Sequence, residues 1–409
     1  MASAPKLPKN MSVHVAQNDA DRARVYRFRY AVQVAELNGN PPGCDDVARI
    51  VRTPIDGTST ILYLGSNNEI MGTVRLSYAL VTPVPPAPYD AYQLKLFDEF
   101  ADSDLSMTSA WAVAARWRNS PALAILLGAA FKMCLERNIR FDFSHCAPAQ
   151  LKLFQRLGYR RYAANFSDES SLRVPLVMLL EDKRHLSQVK SPLFRIACQY
   201  ETKSDASLWF SRRFPEATKS SIIAAMDKDE FWVYLARQLH EDPHESIPLL
   251  KSMNDGDAKR FIAAATVISC EAEDVVINQG ELGHEMFVIL SGSVEVRIGG
   301  VNGRPIADFG RGDIFGEVAF LSEVERSATV VATSKIEILI LTQSMLRNVM
   351  KSMPDAACQV LFNLSLILCG RLCHSTETMT IDHDAGFAAD RKNPADAEET
   401  AGPPRHAVA

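Results

Sequence analysis

Phe315-Gly316-Glu317-Val318-Ala319-Phe320-Leu321-Ser322-Glu323-Val324-Glu325-Arg326-Ser327-Ala328-Thr329-Val330 decides how the C-terminal part of the chain is read. Gly316 lets backbone N–H groups come close to an anion. Arg326 offers a planar guanidinium fork for a phosphate. Glu317 sits between them as an acceptor. A carboxylate beside an anion site makes sense where the ligand also carries a donor, such as a sugar hydroxyl. An isolated arginine reads as a solvated surface residue, but the ordered glycine, glutamate and arginine do not.

Short apolar runs surround this stretch, separated by Gly and Asp turns. They are Asp274–Ile277, Met286–Leu290, Ser293–Ile298, Pro305–Phe309, Ala328–Ala332 and Lys335–Leu341. So many strands in so few residues predict a compact β-barrel or jelly roll. Helices are expected over Gln343–Met350 and Pro354–Cys373. The polar segment Thr376–Ala409 reads as disordered.

The key stretch resembles the phosphate-binding segment of the cyclic-nucleotide-binding domain family: Phe-Gly-Glu-x-Ala, then Arg-x-Ala-Thr. Gly280-Glu281-Leu282-Gly283, Phe287-Val288-Ile289-Leu290-Ser291-Gly292-Ser293-Val294 and Ile247-Pro248-Leu249-Leu250 extend the resemblance over residues 247–374. It implies cAMP or cGMP as effector, with Glu317 on the ribose 2′-hydroxyl and Arg326 on the cyclic phosphate. The implied site is Gly316, Glu317, Val318, Ala319, Arg326, Ser327 and Ala328. Ser327 stands where family members differ in base preference. Glu325 replaces a common proline and adds a negative charge that weakens phosphate binding. A domain that keeps the fold without binding nucleotide is the alternative. Transcription factors with this domain continue into a helix-turn-helix, whereas a polar tail follows Cys373 here.

The N-terminal half begins with a loose arm at residues 1–12 and a helix over Ala20–Leu37. Strands are expected at Thr60–Leu64 and Ile70–Tyr78 around an Asn67-Asn68 turn, and at Ser109–Ala115, Phe141–Cys146 and Leu172–Leu180. Helices are expected at Pro121–Asn138 and Pro148–Leu157, and a loop at Pro83, Pro85, Pro86 and Pro88. Arg24-Val25-Tyr26-Arg27-Phe28-Arg29-Tyr30, Asp45-Asp46, Arg75-Leu76 and Leu153-Phe154-Gln155-Arg156-Leu157-Gly158-Tyr159 resemble the acyl-homoserine-lactone synthase and N-acyl amino acid synthase branch of the Gcn5-related acyltransferases. The resemblance implies acyl transfer from acyl-CoA or an acyl-carrier protein to a small amine or amino acid. Asp45, Asp46 and Arg75 would serve the acceptor. Val113, Ala115, Arg116 and Arg118 would hold the carrier, with the helix start after Pro121 attracting its phosphate. His145 is a weaker catalytic candidate. The family's Glu-x-Ser-Arg-Phe is Met107-Thr108-Ser109-Ala110-Trp111 here, so its carboxylate and arginine are missing.

Composition bounds these readings. The 409 residues carry 44 basic against 49 acidic groups, a net −5, which disfavours nucleic-acid binding through a basic surface. Eight cysteines form no Cys-x-x-Cys pair, and no metal site is expected. The N-terminus is not a signal peptide. Ala122–Ala130 and Val360–Leu372 fall short of the ~18–20 residues of a spanning helix, so the chain reads as soluble and cytoplasmic. The apolar face of Pro354–Cys373 suits a homodimer.

The expected fold is multidomain α/β plus β. An acyltransferase-like mixed sheet at 13–185 leads through a helical connector at 186–246. A β-jelly-roll cyclic-nucleotide-binding domain follows at 247–374, then a disordered tail at 375–409. The expected function is a cyclic-nucleotide-regulated N-acyltransferase. The alternative is a catalytically silent scaffold or sensor in a cyclic-nucleotide-responsive regulatory protein.

Overall fold

The apolar runs Thr60–Gly65 and Ile70–Tyr78 pair antiparallel and seed the N-terminal sheet. The computed structural model describes residues 8, 11–37, 39, 41–66, 69–78, 91–118, 120–167, 172–202, 205–322 and 324–390. The Asn67-Asn68 turn, the proline loop at 83–88 and most of the arm at 1–12 lie outside the described residues, and Ser12 begins the first strand.

The sheet runs in the order Ser12–Val15, Thr60–Gly65, Ile70–Tyr78, Leu105–Val113, Phe141–Cys146, Leu172–Leu179, Arg160–Arg161, with Phe166–Ser167 also on Leu172–Leu179. Leu105–Val113 and Phe141–Cys146 pair in parallel, so they need a crossover. The helix Ala122–Glu136 supplies it and buries Ala122, Leu126, Leu127, Ala130, Phe131 and Cys134. The expected helix over Ala20–Leu37 is an α-helix at Asp19–Tyr30, capped by Asn18, that widens to a π-helix over Ala31–Glu36. The expected strand Ser109–Ala115 starts earlier, at Leu105. It kinks at Ala110, where φ is +47°, close to the register shift against Thr73–Arg75.

Residues 186–246 are helical, but they are divided between the two halves. Phe210 and Phe214 pack with Phe97, Phe141 and Phe143 on the N-terminal sheet. Phe231, Leu235 and Leu239 pack with Leu249, Phe261 and Val288 of the C-terminal half. Further contacts cross directly. Lys152 Nζ donates to Ala263 O at 2.6 Å, and Asn165 Nδ2 donates to Ser269 O at 2.9 Å.

The jelly roll or barrel predicted for the C-terminal half is corrected. Eight strands form two separate four-stranded sheets, and neither closes. One has the order Thr266–Cys270, Ile336–Thr342, Glu285–Ser291, Ile314–Phe315. The other has Val275–Ile277, Thr329–Ala332, Val294–Ile298, Arg304–Phe309. Glu285–Ser291 buries both faces, so it reads as a near-continuous apolar run rather than an alternation. Phe287 and Ile289 face Val294, Val330 and Ala332 of the second sheet. Met286, Val288 and Leu290 face helices carrying Leu235, Phe261, Val360 and Leu364. Helices cover the outer face of the first sheet, so the two sheets stay an open pair.

The final helix spans Pro354–Asp390, longer than the predicted Pro354–Cys373, and residues 391–409 lie outside the described residues. The helix thus runs into the segment expected to be disordered from Thr376. A helix already nucleated by packing at Ala357, Val360 and Leu364 extends at small cost per residue. Its segment Pro354–Cys373 has mean hydropathy 1.6 over a stretch only 28% buried. By length and composition it is long and apolar enough to span a membrane, contrary to the expectation that every apolar run falls short. Phe362 and Leu366 are exposed on it.

Candidate functional site

Gly316 caps the five-residue helix Glu317–Leu321 with φ +80°, a conformation that suits a residue without Cβ. The turn aims Glu317 inward, where it is buried, and leaves Val318 exposed. Ala319 is buried in the wall behind them. Arg326 returns to the same place through a ladder with the glycine turn. Its N–H donates to Glu281 O at 2.8 Å, and its carbonyl accepts from Gly280 N at 2.9 Å. Ser327 is exposed beside it and Ala328 is half-buried.

The Arg326 guanidinium is 6% exposed and passes between two glycines. A Cβ on Gly283 would lie 2.5 Å from its Nη2, and one on Gly316 would lie 2.9 Å from its Nη1. Nη1 donates to Glu285 O at 2.7 Å and Gly316 O at 2.9 Å, and Nη2 reaches the Glu285 carboxylate at 3.1 Å. Burial pulls the guanidinium below its usual pKa, while Glu285, Glu281 and Glu317 act in the opposite sense. An arginine so placed has a carboxylate partner that an anion can exchange with.

Glu317 has a partner of its own. Arg371 of the final helix donates through Nη1 to Glu317 Oε1 at 2.6 Å and through Nη2 to Ile314 O, and it lies over the Phe309 ring at 4.7 Å. Sequence reading missed Glu285 and Arg371, because neither belongs to the local motif. The residues on either side of Arg371 are exposed, and its helix is anchored earlier, at Ala356, Ala357, Val360 and Leu364.

Residues 267–353 match the family described as Cyclic nucleotide-binding domain. The C-terminal part of the chain is a cyclic-nucleotide-binding domain. The chain is 36% identical over 108 residues to a cAMP-dependent protein kinase regulatory subunit of Eremothecium gossypii, covering 26% of this chain and 23% of that one. It is 29% identical over 127 residues to the protein of the same description from Schizosaccharomyces pombe, covering 30% of each. The chain thus spans under a third of the length of these relatives. Among solved structures, the Thermus thermophilus catabolite activator protein is 27% identical with a TM-score of 0.30, over 33% of this chain and 62% of that one.

The acyltransferase reading of the N-terminal half is corrected on both grounds. These matches carry the names of nucleotide-binding and regulatory proteins, and none of them supports an acyl-CoA or acyl-carrier-protein donor, an amine acceptor or an enzyme. The residues also do not assemble as expected. Asp45 ends the short strand Cys44–Asp45 and Asp46 opens the turn after it; both are exposed, and Asp45 accepts from Ala48 N–H and Asp46 from Tyr30 O–H. Arg75 is buried and paired with Asp56. The expected carrier-phosphate pocket already holds an internal carboxylate. Glu36 accepts from Ala115 N–H at 3.1 Å and from Arg118 Nη2 at 2.6 Å. Arg118 Nε is spent on Val113 O, and Arg116 stacks on Trp117. Met107 is packed into the Phe97–Phe143 cluster. His145 is paired with Tyr92 O–H.

Proposed function

We propose that the chain is a non-catalytic, cytoplasmic regulatory protein whose C-terminal domain takes a cyclic nucleotide, cAMP or cGMP, at Gly316, Glu317, Val318, Ala319, Arg326, Ser327 and Ala328. The observation that carries this is the buried Arg326 guanidinium, seated between Gly283 and Gly316 with an exchangeable carboxylate on it. The cyclic phosphate replaces Glu285 on Arg326. The ribose 2′-hydroxyl replaces Arg371 on Glu317. Both exchanges keep a buried charged group satisfied, which a ligand must do to bind here.

Release of Arg371 frees the final helix, and the strand Thr266–Cys270 abuts Asn165 of the N-terminal half. A nucleotide that favours one arrangement of the final helix thereby biases what the N-terminal half presents. The names of the kinase regulatory subunits favour cAMP, while Ser327 suits either base.

Titration calorimetry with cAMP and cGMP on the full chain tests this. A saturable 1:1 heat with at least one of them, abolished by Arg326→Gln, is expected. Absence of heat with both at millimolar nucleotide overturns the reading.

A further inference from the structure

A cavity of about 650 Å³ lies where the N-terminal half meets the C-terminal one. Its walls come from both halves and from the helices between them. Gln155 and Tyr162 line it from the first, Phe231 and Val267 from the second, and Ala217 and Ile223 from the connecting segment. The volume is that of a small-molecule site, and cavities between domains are where such sites are common. None of the residues proposed to hold the nucleotide lines it.

Lys152 is the cation in this cavity that no carboxylate answers. Its Nζ spends two of its three donors on the carbonyls of Ala263 and Ala265, at 2.6 and 3.3 Å. Burial and the neighbouring Arg156 lower its pKa to about 8, with no acidic group acting against them, so it is still mostly charged at pH 7. The other charged side chains along the walls are answered or wet. Lys335 pairs with Glu271 at 2.9 Å, Tyr234 O–H donates to Glu337 at 3.1 Å, Arg161 feels Asp274 and Glu271, and Glu216 is exposed.

Gln155 stands three residues further along the same helix, Leu151–Leu157, and so shares a face with Lys152. It is only 7% exposed and lines the cavity, yet its side-chain amide makes no hydrogen bond among the described residues. A buried amide without partners costs stability unless something fills its bonds. An ammonium with one N–H to spare and an amide with two therefore open into one cavity, beside the apolar side chains of Ile223 and Phe231.

We propose that Lys152 and Gln155 hold the carboxylate of a small aromatic acid whose ring lies against Phe231 and Ile223. The carboxylate accepts from the third N–H of Lys152 and from the Gln155 amide, and it supplies the negative charge that Lys152 lacks. The bonds from Lys152 to Ala263 and Ala265 stay in place. The occupant touches both halves, so it favours the arrangement in which they are docked as they are here. This site does not depend on the nucleotide reading.

Titration calorimetry of the nucleotide-free full chain at pH 7 with sodium 3-phenylpropionate tests this, with 3-phenylpropan-1-ol as the uncharged counterpart. A saturable 1:1 isotherm in the millimolar range or tighter is expected for the acid, and one weaker by about tenfold or more for the alcohol. Lys152→Gln should weaken the acid by about tenfold or more, since a charge-assisted hydrogen bond is lost. Gln155→Leu should weaken it by about fivefold. Its melting temperature should hold or rise, because an amide without partners gives way to an apolar group of similar size. A purely structural Gln155 would give the reverse, a lower melting temperature with unchanged affinity. Gln155→Leu decides the matter if Lys152→Gln does not fold. No saturable heat with the acid, equal affinity for the alcohol, or an acid affinity unchanged by either substitution overturns the proposal.

Discussion

Arg371 Nη1 and Glu317 Oε1 lie 2.6 Å apart, joining the final helix to the ligand loop across 54 residues of sequence. Glu317 is buried, and the Arg371 side chain is 33% exposed. The carboxylate proposed to take a ribose hydroxyl is therefore already occupied by an arginine. On that proposal, nucleotide and helix compete for one acceptor.

Replacing Arg371 with Met removes the competitor and leaves buried Glu317 without its ion-pair partner. Both effects disfavour the ligand-free state. A partly exposed ion pair is worth up to about 1 kcal/mol, so cAMP affinity should rise by about fivefold or less. Calorimetric titration of Arg371→Met against wild type measures this. A fall in affinity would mean that Arg371 contacts the nucleotide itself.

Gly283 gives a test of the arginine seat that spares the charges. A methyl at this position meets Nη2, Nε and Cζ of Arg326 at 2.5, 2.7 and 2.8 Å. The φ at Gly283 is not in the left-handed region, so Ala adds crowding without backbone strain. Gly283→Ala should push the guanidinium off its line between the Glu285 and Gly316 carbonyls. Nucleotide affinity should drop by about tenfold or more, the equivalent of losing one or two charge-assisted hydrogen bonds. The melting temperature should fall as well, because a buried guanidinium loses carbonyl acceptors. Paired calorimetry and thermal unfolding on this variant separate the two effects.

These two cases also show what a sequence can carry. Gly316, Glu317 and Arg326 were legible because a tight turn, an inward carboxylate and a returning arginine are specified within a dozen consecutive residues. Arg371 and Glu285 were not, because their roles come from tertiary contacts at 54 and 41 residues' separation. The barrel prediction failed for a related reason. A run such as Met286–Leu290 says that both strand faces are buried but not by what, and one face is covered by helices rather than by a closing sheet. In the N-terminal half the helix and strand periodicity located most elements. The local motif placed Arg75 with Asp45 and Asp46, whereas folding put it on Asp56, whose burial no spacing announces.

His185 supplies a pH test of the N-terminal fold. It is buried beside the Arg160–Asp182 pair, its Nε2 has no partner, and burial together with Arg160 lowers its pKa to about 4. The folded value lies below the unfolded one, so the unfolded state binds more protons between about 4 and 6.5. Stability from the neutral imidazole is thus complete above pH 6.5 and is lost as the pH falls toward 4. The shift from 6.5 to about 4 corresponds to about 3 kcal/mol across that window. The lowered carboxylates Asp56 and Asp182 act below this range, under the ordinary carboxylate value of 3.8, so the two contributions separate. Urea unfolding of wild type and His185→Gln from pH 7 to pH 4 reads the difference. The variant should be the less stable at pH 7, through packing, and its curve should be flatter on acidification. Parallel curves for the two proteins would show that His185 protonates as freely in the folded chain as in the unfolded one.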